Sequence, residues 1–248
     1  MIKRYRSDLH IHSCLSPCAE LDMTPKRIIS RAVEKQLDII AVSDHNSAEH
    51  VHVTMELGSK HNIAVLPAME ISSAEEVHML AFFDSIDDCL KVHEDVSASM
   101  SNIPSYSHDE TSQPVVNVKE EILYFNPLPL INAADIPVEK LVGIIHRNNG
   151  LAVASHIDRE VFGIISQLGF IPEGLPLDAV EVSWRVKSEE EAQRFIAGQE
   201  YPIVSFSDAH HIVDIGRRIT EFYIEKPAIK GIRMCLRSEA GRKLTVLY

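Results

Sequence analysis

The chain has little of what marks a disulfide scaffold or a membrane protein. Only four cysteines and one tryptophan occur in 248 residues. Cys14 and Cys18 are spaced like ligands in some zinc sites, but no second cysteine pair completes a tetrad, so we interpret all four as reduced thiols. No apolar run approaches the roughly 20 residues of a membrane span. Repeats and low-complexity tracts are also missing from the sequence.

Positive charge is scarce as well. Lys and Arg number 24 against 36 Asp and Glu, which gives a formal net charge of −12. Duplex nucleic acid is held by basic side chains that neutralise phosphates, so this balance predicts no duplex partner, although short nucleotides remain compatible with it. The basic first residues lead into no apolar segment. We therefore expect no signal peptide, no membrane contact and a cytoplasmic location.

Strand patterns alternate with helix patterns along most of the chain. The predicted strands are 6–12, 37–42, 63–66, 77–83, 150–156, 177–182, 201–206, 219–224 and 244–247, and the predicted helices are 24–36, 48–60, 137–149, 188–198 and 227–238. This alternation predicts parallel pairing and a single α/β domain over residues 1–248. Residues 97–136 break the pattern and are rich in Ser, Asn, Asp and Pro. We expect an insertion or lid there, with a short hairpin arm at 113–118.

Histidines and carboxylates are placed where the predicted strands meet loops. Alternate residues of a strand share a face, so Asp8, His10 and His12 point one way and Asp208 lies beside His210. Further members at strand ends are His45, Glu70 and His156. Function in parallel α/β folds gathers at the carboxyl ends of strands, so these groups are expected to converge. His78 begins its apolar run, so its strand either starts later or runs against its neighbours.

Imidazoles and carboxylates together suit several divalent cations, of which zinc, manganese and iron are equally compatible with the residue types. Asp8 is expected to orient a ligand imidazole. Asp44 either turns inward at its strand end or accepts backbone hydrogen bonds. Four cationic or imidazole side chains follow the candidate ligands and are expected to bind phosphate oxygens of a substrate; they are Arg159, His211, Arg217 and Arg218.

These motifs in this order resemble the polymerase and histidinol phosphatase (PHP) family of metal-dependent phosphoesterases, over nearly the whole chain. The resemblance rests on Asp8-Leu9-His10-Ile11-His12, Ser43-Asp44-His45, Glu70, His78, Ser155-His156 and Ser207-Asp208-Ala209-His210. It implies a TIM-like, distorted (β/α)7 barrel that holds two or three divalent metal ions.

The resemblance also implies how the ligands divide. A first cation would be held by His10, His12, Glu70 and Asp208, and Glu70 would bridge to a second cation with His78 and His156. A third would bind His45, His210 and an acid in the loop after the first strand. Glu20 is preferred for that acid, with Asp22 as the alternative.

Such a centre predicts hydrolysis of a small phosphorylated substrate by a metal-bound water, since cations lower the pKa of bound water and neutralise phosphate oxygens. No protein nucleophile is required. A nuclease or nucleotide phosphodiesterase is the main alternative. Weaker alternatives are an amidohydrolase, because those barrels also begin with His-x-His, and a non-catalytic binding module that metals stabilise.

Overall fold

The computed structural model describes residues 1–100, 113–196 and 198–248. Within these ranges the α-helices are α1 (Pro25–Glu34), α2 (Val51–Ser59), α3 (Ile86–Met100), α4 (Val138–Arg147), α5 (Ile164–Leu168), α6 (Glu189–Phe195) and α7 (Ile229–Leu236). Helix α1 begins as predicted, with Thr24 as the cap that accepts from the Arg27 N–H and Pro25 in the first turn. Helices α3 and α5 were not predicted.

The strands form two five-stranded sheets and one hairpin. They are β1 (Lys3–Ile11), β2 (Ile39–Val42), β3 (Ala64–Val65), β4 (Ala68–Ser72), β5 (His78–Phe82), β6 (Pro114–Val116), β7 (Ile122–Phe125), β8 (Leu151–Ala154), β9 (Ala179–Glu181), β10 (Ile203–Val204), β11 (Ile219–Ile224) and β12 (Lys243–Leu247). The first sheet has the order β12-β11-β1-β2-β3, the second has the order β10-β9-β8-β5-β4, and β6 pairs with β7.

The α/β class is confirmed, but the predicted (β/α)7 closure is not: the strands described here form no closed barrel. The two sheets approach each other at two isolated parallel bridges, Ile11 with Ala209 and His45 with Glu70. The predicted parallel pairing is wrong for four strand pairs, because β1 pairs antiparallel with β11, β11 with β12, β4 with β5 and β5 with β8. The second reading of the His78 segment is the correct one, since β5 runs against both β4 and β8.

Apolar side chains fill the space enclosed by the two sheets and the gap between sheets and helices. Leu9, Phe82, Phe206 and Phe222 belong to one buried cluster that draws on both sheets. The core is tightly packed around Gly150, because an added Cβ there would lie only 2.6 Å from the Phe83 side chain and 2.8 Å from the Ile145 side chain. The apolar core therefore fixes the strand ends, and with them the polar groups they carry.

Residues 113–136 of the predicted insertion pack onto the loop that follows β1. The hairpin β6–β7 confirms the predicted arm, and Val115 and Leu130 bury Leu15. The Val116 N–H donates to His50 Nε2 at 2.9 Å, which docks the hairpin on α2. Residues 101–112 of the predicted lid lie outside the described residues, and the lid remains a prediction. In the described ranges, no helix is long and apolar enough to cross a membrane.

Candidate metal centre

Strand ends deliver a polar cluster to one edge of the fold. Loops after β1, β2, β8 and β10 carry His12, His45, His156 and Asp208, respectively. Glu70 lies in β4, and His78 opens β5, whose antiparallel direction brings its first residue to the same edge. These side chains are buried in spite of their polarity, as is His10 in β1. Burial of so many ionisable groups is costly unless they are paired or bind cations.

Each of the first two histidines is oriented through its outer ring nitrogen. His10 Nδ1 donates to Glu181 and lies 3.0 Å from both carboxylate oxygens. His12 Nδ1 lies 3.2 Å from Ser16 Oγ, and Ser16 itself donates to Asp44 at 2.7 Å. Because the Ser16 proton is committed to Asp44, His12 must donate to Ser16. Both rings therefore turn the lone pair of Nε2 inward, as metal-ligating histidines do.

The inward atoms form a compact polyhedron. The Nε2 atoms of His10 and His12 face each other at 3.2 Å. Asp208 Oδ1 lies 3.4 Å from the first and 3.3 Å from the second. Glu70 reaches His10 with Oε1 at 3.3 Å and His12 with Oε2 at 3.4 Å. A tetrahedral ion with bonds of about 2.0–2.1 Å separates its ligands by about 3.3–3.4 Å, so these spacings match one cation.

Glu70 also joins a second set of imidazoles. Its Oε1 lies 3.3 Å from His78 Nδ1 and 3.3 Å from His156 Nε2, and its Oε2 lies 3.3 Å from His45 Nδ1. The position of Glu70 between the two sets is that of a bridging carboxylate.

Three buried atoms provide a direct test of whether cations fit. Glu70 Oε1, His78 Nδ1 and His156 Nδ1 are inaccessible to solvent and make no hydrogen bond within the described residues. Buried polar atoms are nearly always satisfied, and such exceptions call for an ion or a water. These three atoms and the facing Nε2 atoms of His10 and His12 form a donor set that fits divalent cations.

Two members of the cluster have a strained backbone. His156 and Asp208 adopt positive φ angles of 28° and 49°, which non-glycine residues populate at a cost of about 1–3 kcal/mol each. Asp8 holds the Asp208 loop in place, since its carboxylate accepts from the Ser207 and Gly216 N–H groups at 3.0 and 2.8 Å. Burial raises the pKa of Asp8 to about 6, against the lowering effect of those hydrogen bonds.

The electrostatics divide the imidazoles into two kinds. Burial alone would lower the pKa of His10, but Glu181, Glu70 and Asp208 raise it well above its usual value, so these carboxylates favour a positive charge at this place, which a cation would supply instead of a proton on Nε2. Burial and neighbouring imidazoles lower the pKa of His45, and they lower that of His210 to about 4. His45 and His210 are therefore neutral near pH 7, which is the form that binds metal ions.

Four of the predicted site residues lie elsewhere or have other partners. Glu20 is exposed and pairs with the equally exposed His211 at 3.3 Å. Asp22 pairs with Arg27 at 3.0 Å. Arg218 is buried, and its guanidinium donates to the carbonyl oxygens of Trp184, Val186 and Leu247, so it is committed to backbone contacts instead of substrate.

Two other expectations change in detail. Asp8 does not orient an imidazole, because that position belongs to Glu181, which also accepts from the His156 N–H at 3.0 Å. Asp44 turns inward and accepts from the backbone N–H of Ser13 at 2.7 Å, so both of its alternative readings hold at once.

Sequence reasoning missed two residues of the cluster. Glu181 follows the apolar residues of its short strand directly, as Glu70 follows Ala68 and Met69. A glutamate directly after an apolar run was therefore an available signal. Cys18 was interpreted as an ordinary thiol, yet its Sγ lies with ligand atoms of His12, His45 and His210, all within 4.8 Å of one another. The zinc-like spacing of Cys14 and Cys18 was a signal, but it indicated the wrong partner, because Cys14 does not belong to this group.

A cationic rim borders the cluster, formed by Arg159, Trp184, Arg185, Lys187 and Arg217. Arg159 Nη2 lies 2.5 Å from Asp208 Oδ2. The Trp184 ring is covered by the Arg217 guanidinium at 4.2 Å, with Lys187 Nζ at 5.2 Å and Arg185 Cζ at 5.8 Å from its centroid. Arg217 also donates to the Ser207 carbonyl oxygen at 2.9 Å, which ties this Trp184 rim to the Asp208 loop.

Comparison with known proteins places this fold in a definite group. The PHP domain family model matches residues 8–169, whereas no curated protein matches the sequence. A lesion-specific endonuclease from Pyrococcus furiosus is similar in structure, with a TM-score of 0.73 and 19% identity over 98% of this chain and 58% of that one. A protein described as a metal-dependent phosphoesterase from Bifidobacterium adolescentis has a TM-score of 0.58 and 17% identity, and 94% and 96% of the two chains are covered.

The expected exclusion of duplex nucleic acid is wrong for this fold. Endonuclease Q in complex with a 27-mer duplex that carries an abasic lesion at the active site has a TM-score of 0.70 and 17% identity, with 97% of this chain and 58% of that chain covered. Net charge describes the whole surface, whereas phosphate binding depends on the local potential beside the site. This chain spans less than two thirds of the endonuclease chains that it matches.

Proposed function

The chain belongs to the PHP domain family, and we propose that it hydrolyses phosphate esters with divalent cations held at the edge of its two sheets. The observation that carries the proposal is the pair of Nε2 atoms of His10 and His12, 3.2 Å apart, enclosed by Glu70 and Asp208. Their outer nitrogens are committed to Glu181 and Ser16, so the two lone pairs converge where a cation fits.

We propose two cation positions, which the contacts support. We assign the first to His10, His12, Asp208 and Glu70, and the second to Glu70 with His78 and His156. When bound, such cations supply Lewis acidity toward phosphate oxygens and lower the pKa of a coordinated water from about 15.7 towards about 7. Zinc, manganese and iron all suit these nitrogen and oxygen donors.

The chain's own residues would position the substrate. Arg159 and Arg217 lie beside Asp208, where guanidinium groups form charge-assisted hydrogen bonds with phosphate oxygens. Glu181 and the Ser16–Asp44 pair keep the protons of His10 and His12 on the outer nitrogens. No serine or cysteine beside a general base is needed for this chemistry.

The decisive experiment is a substrate panel with and without metal. Purified protein would be stripped with chelator, reloaded separately with zinc, manganese or iron(II), and assayed on a phosphomonoester and a phosphodiester. We expect activity only after reloading and none in a Glu70→Gln variant, while Glu221→Gln, a buried carboxylate in β11, retains it. Full activity in the stripped protein would exclude the proposal.

A second candidate substrate is a phosphodiester within nucleic acid. The Trp184 rim favours it, because aromatic and cationic side chains together bind bases and phosphates. The similarity of fold to endonucleases agrees with this candidate. A Trp184→Ala variant should lose affinity for an oligonucleotide yet keep its turnover of a small phosphodiester. Equal losses on both substrates would count against the rim as a nucleic-acid surface.

A further inference from the structure

We infer that Cys18, with His45 and His210, binds a cation of its own beside the two positions assigned above, and that the thiolate makes this position selective for zinc over harder ions. The ligand atoms of Cys18, His45, His210 and His12 all lie within 4.8 Å of one another. The inference rests on the proposed function, since it adds a position to the same centre. It assigns a sulfur ligand in place of the predicted Glu20.

The imidazoles of this group are placed to act as ligands. His210 Nδ1 donates to the Asp208 carbonyl oxygen at 3.0 Å, which leaves Nε2 with its lone pair available. His45 is only 5% exposed, and its Nδ1 lies 3.3 Å from Glu70 Oε2. Three imidazoles gathered with one thiol form a donor set that is typical of zinc.

Local backbone contacts hold Cys18 in position. The Ala19 N–H donates to the Ser16 carbonyl oxygen at 3.0 Å and closes a turn around Cys18. The next N–H, that of Glu20, donates to the His210 carbonyl oxygen at 3.1 Å and fixes this turn against the second loop. Cys18 is also the one exposed cysteine of the chain; Cys14, Cys89 and Cys235 are buried.

Donor chemistry decides which cation is expected. Thiolate with imidazoles is a donor set of zinc, whereas manganese and magnesium prefer oxygen. The other two positions contain only nitrogen and oxygen donors. On binding, the thiol proton is released to solvent, so occupancy should rise with pH.

Cobalt(II) is the probe for this position, because a cobalt–thiolate bond produces a charge-transfer absorption that imidazole and carboxylate ligands do not. The holoenzyme would be stripped, reloaded with cobalt(II), and measured for absorption, cobalt content and phosphoesterase activity. The variants are Cys18→Ser, Cys18→Asp, and Cys235→Ser as the matched control. Cys235 lies in α7, and a serine there can keep its hydrogen bond to the Tyr223 carbonyl oxygen.

We expect the absorption in the wild type and in Cys235→Ser, and its loss in both Cys18 variants. Cys18→Ser should bind fewer cobalt ions, with affinity at the third position lowered by at least about 10–100-fold. Cys18→Asp should recover the cobalt content without the absorption, which separates loss of a ligand from misfolding.

An active, cobalt-loaded wild type without the absorption would overturn the inference and leave the proposed function intact. Persistence of the absorption in Cys18→Ser would overturn it as well. Thiolate absorption from a protein that hydrolyses none of the phosphate esters would support the inference and contradict the proposed function.

Discussion

Replacing Glu181 with glutamine should weaken metal binding although Glu181 is not itself assigned as a ligand. The side chain is 1% exposed, and it accepts from His10 Nδ1 and from the His156 N–H, each at 3.0 Å. A glutamine presents one oxygen and one NH2 group. Whichever way the amide turns, a donor faces either His10 or His156, and a buried unmet donor costs about 1–3 kcal/mol.

The magnitude for metal affinity follows from the same contacts. Outer partners of ligating histidines are worth about 10–100-fold in affinity, which corresponds to about 1.4–2.7 kcal/mol. Because Glu181 contacts one residue from each of the two assigned positions, we expect Glu181→Gln to lie toward the upper end. Activity should return at high metal concentration, since the ligands themselves remain.

The assay is competition for zinc against a chromophoric chelator of known affinity, with the wild type, Glu181→Gln and Glu221→Gln compared. Glu221 is also buried in a strand but contacts Arg4 and Tyr223 instead of the metal centre. Zinc affinity of Glu181→Gln equal to that of the wild type would refute the reasoning. An equal loss in Glu221→Gln would show that any buried carboxylate has the same effect.

Three further predictions test other contacts. Burial lowers the pKa of His50 below 6.5, and its neutral Nε2 accepts from the Val116 N–H, so docking of the hairpin is complete above pH about 6.5 and is lost as the pH falls through the lowered pKa. Hydrogen exchange at the Val116 amide, corrected for its intrinsic rate, should therefore accelerate on acidification. Constant protection of that amide would contradict this prediction. Gly150→Ala places a Cβ 2.6 Å from Phe83 and should lower the free energy of unfolding by about 1–3 kcal/mol in chemical denaturation; a change below about 0.5 kcal/mol would show that the site relaxes. Arg159→Ala should raise KM for phosphorylated substrates by about 10–100-fold, because a hydrogen bond to a charged group contributes about 1.5–3 kcal/mol. The metal content, measured by elemental analysis, should not change. An unchanged KM would remove Arg159 from the site.

Sequence periodicity predicted which candidate ligands lie together because it reports local geometry. Residues two apart share a strand face, which placed His10 and His12 together without knowledge of the partner strands. The loops that follow parallel strands meet at one edge, which brought in His45 and His156. Helix α3 was not predicted, although Cys89, Val92 and Val96 recur at helical spacing, because its last turns run into the irregular segment that begins at 97.

The division of the strands into two sheets and the contacts behind the candidate ligands could not be predicted in the same way. Pairing between β1 and β11 joins residues more than 200 positions apart, such as Lys3 and Ile224. No local pattern encodes the direction of such a pair, so the antiparallel strands were read as parallel. The position of Cys18 depends on one backbone contact within its own turn and on one with the His210 loop, and the second contact follows from the tertiary fold alone.

The net charge led to a wrong exclusion for a physical reason that the site makes plain. Of the 36 acidic residues, Asp8, Asp44, Glu70, Glu181 and Asp208 are buried in or around the metal centre. Their charge is directed at imidazoles and N–H groups, and it is offset locally instead of facing a ligand. The surface next to them carries the arginines and the lysine of the Trp184 rim. Because the Debye length at physiological salt is only about 8 Å, a phosphate near the candidate centre experiences this rim far more strongly than the distant acids. An acidic protein can therefore attract an anionic substrate, and the relevant quantity is the charge within one screening length of the site.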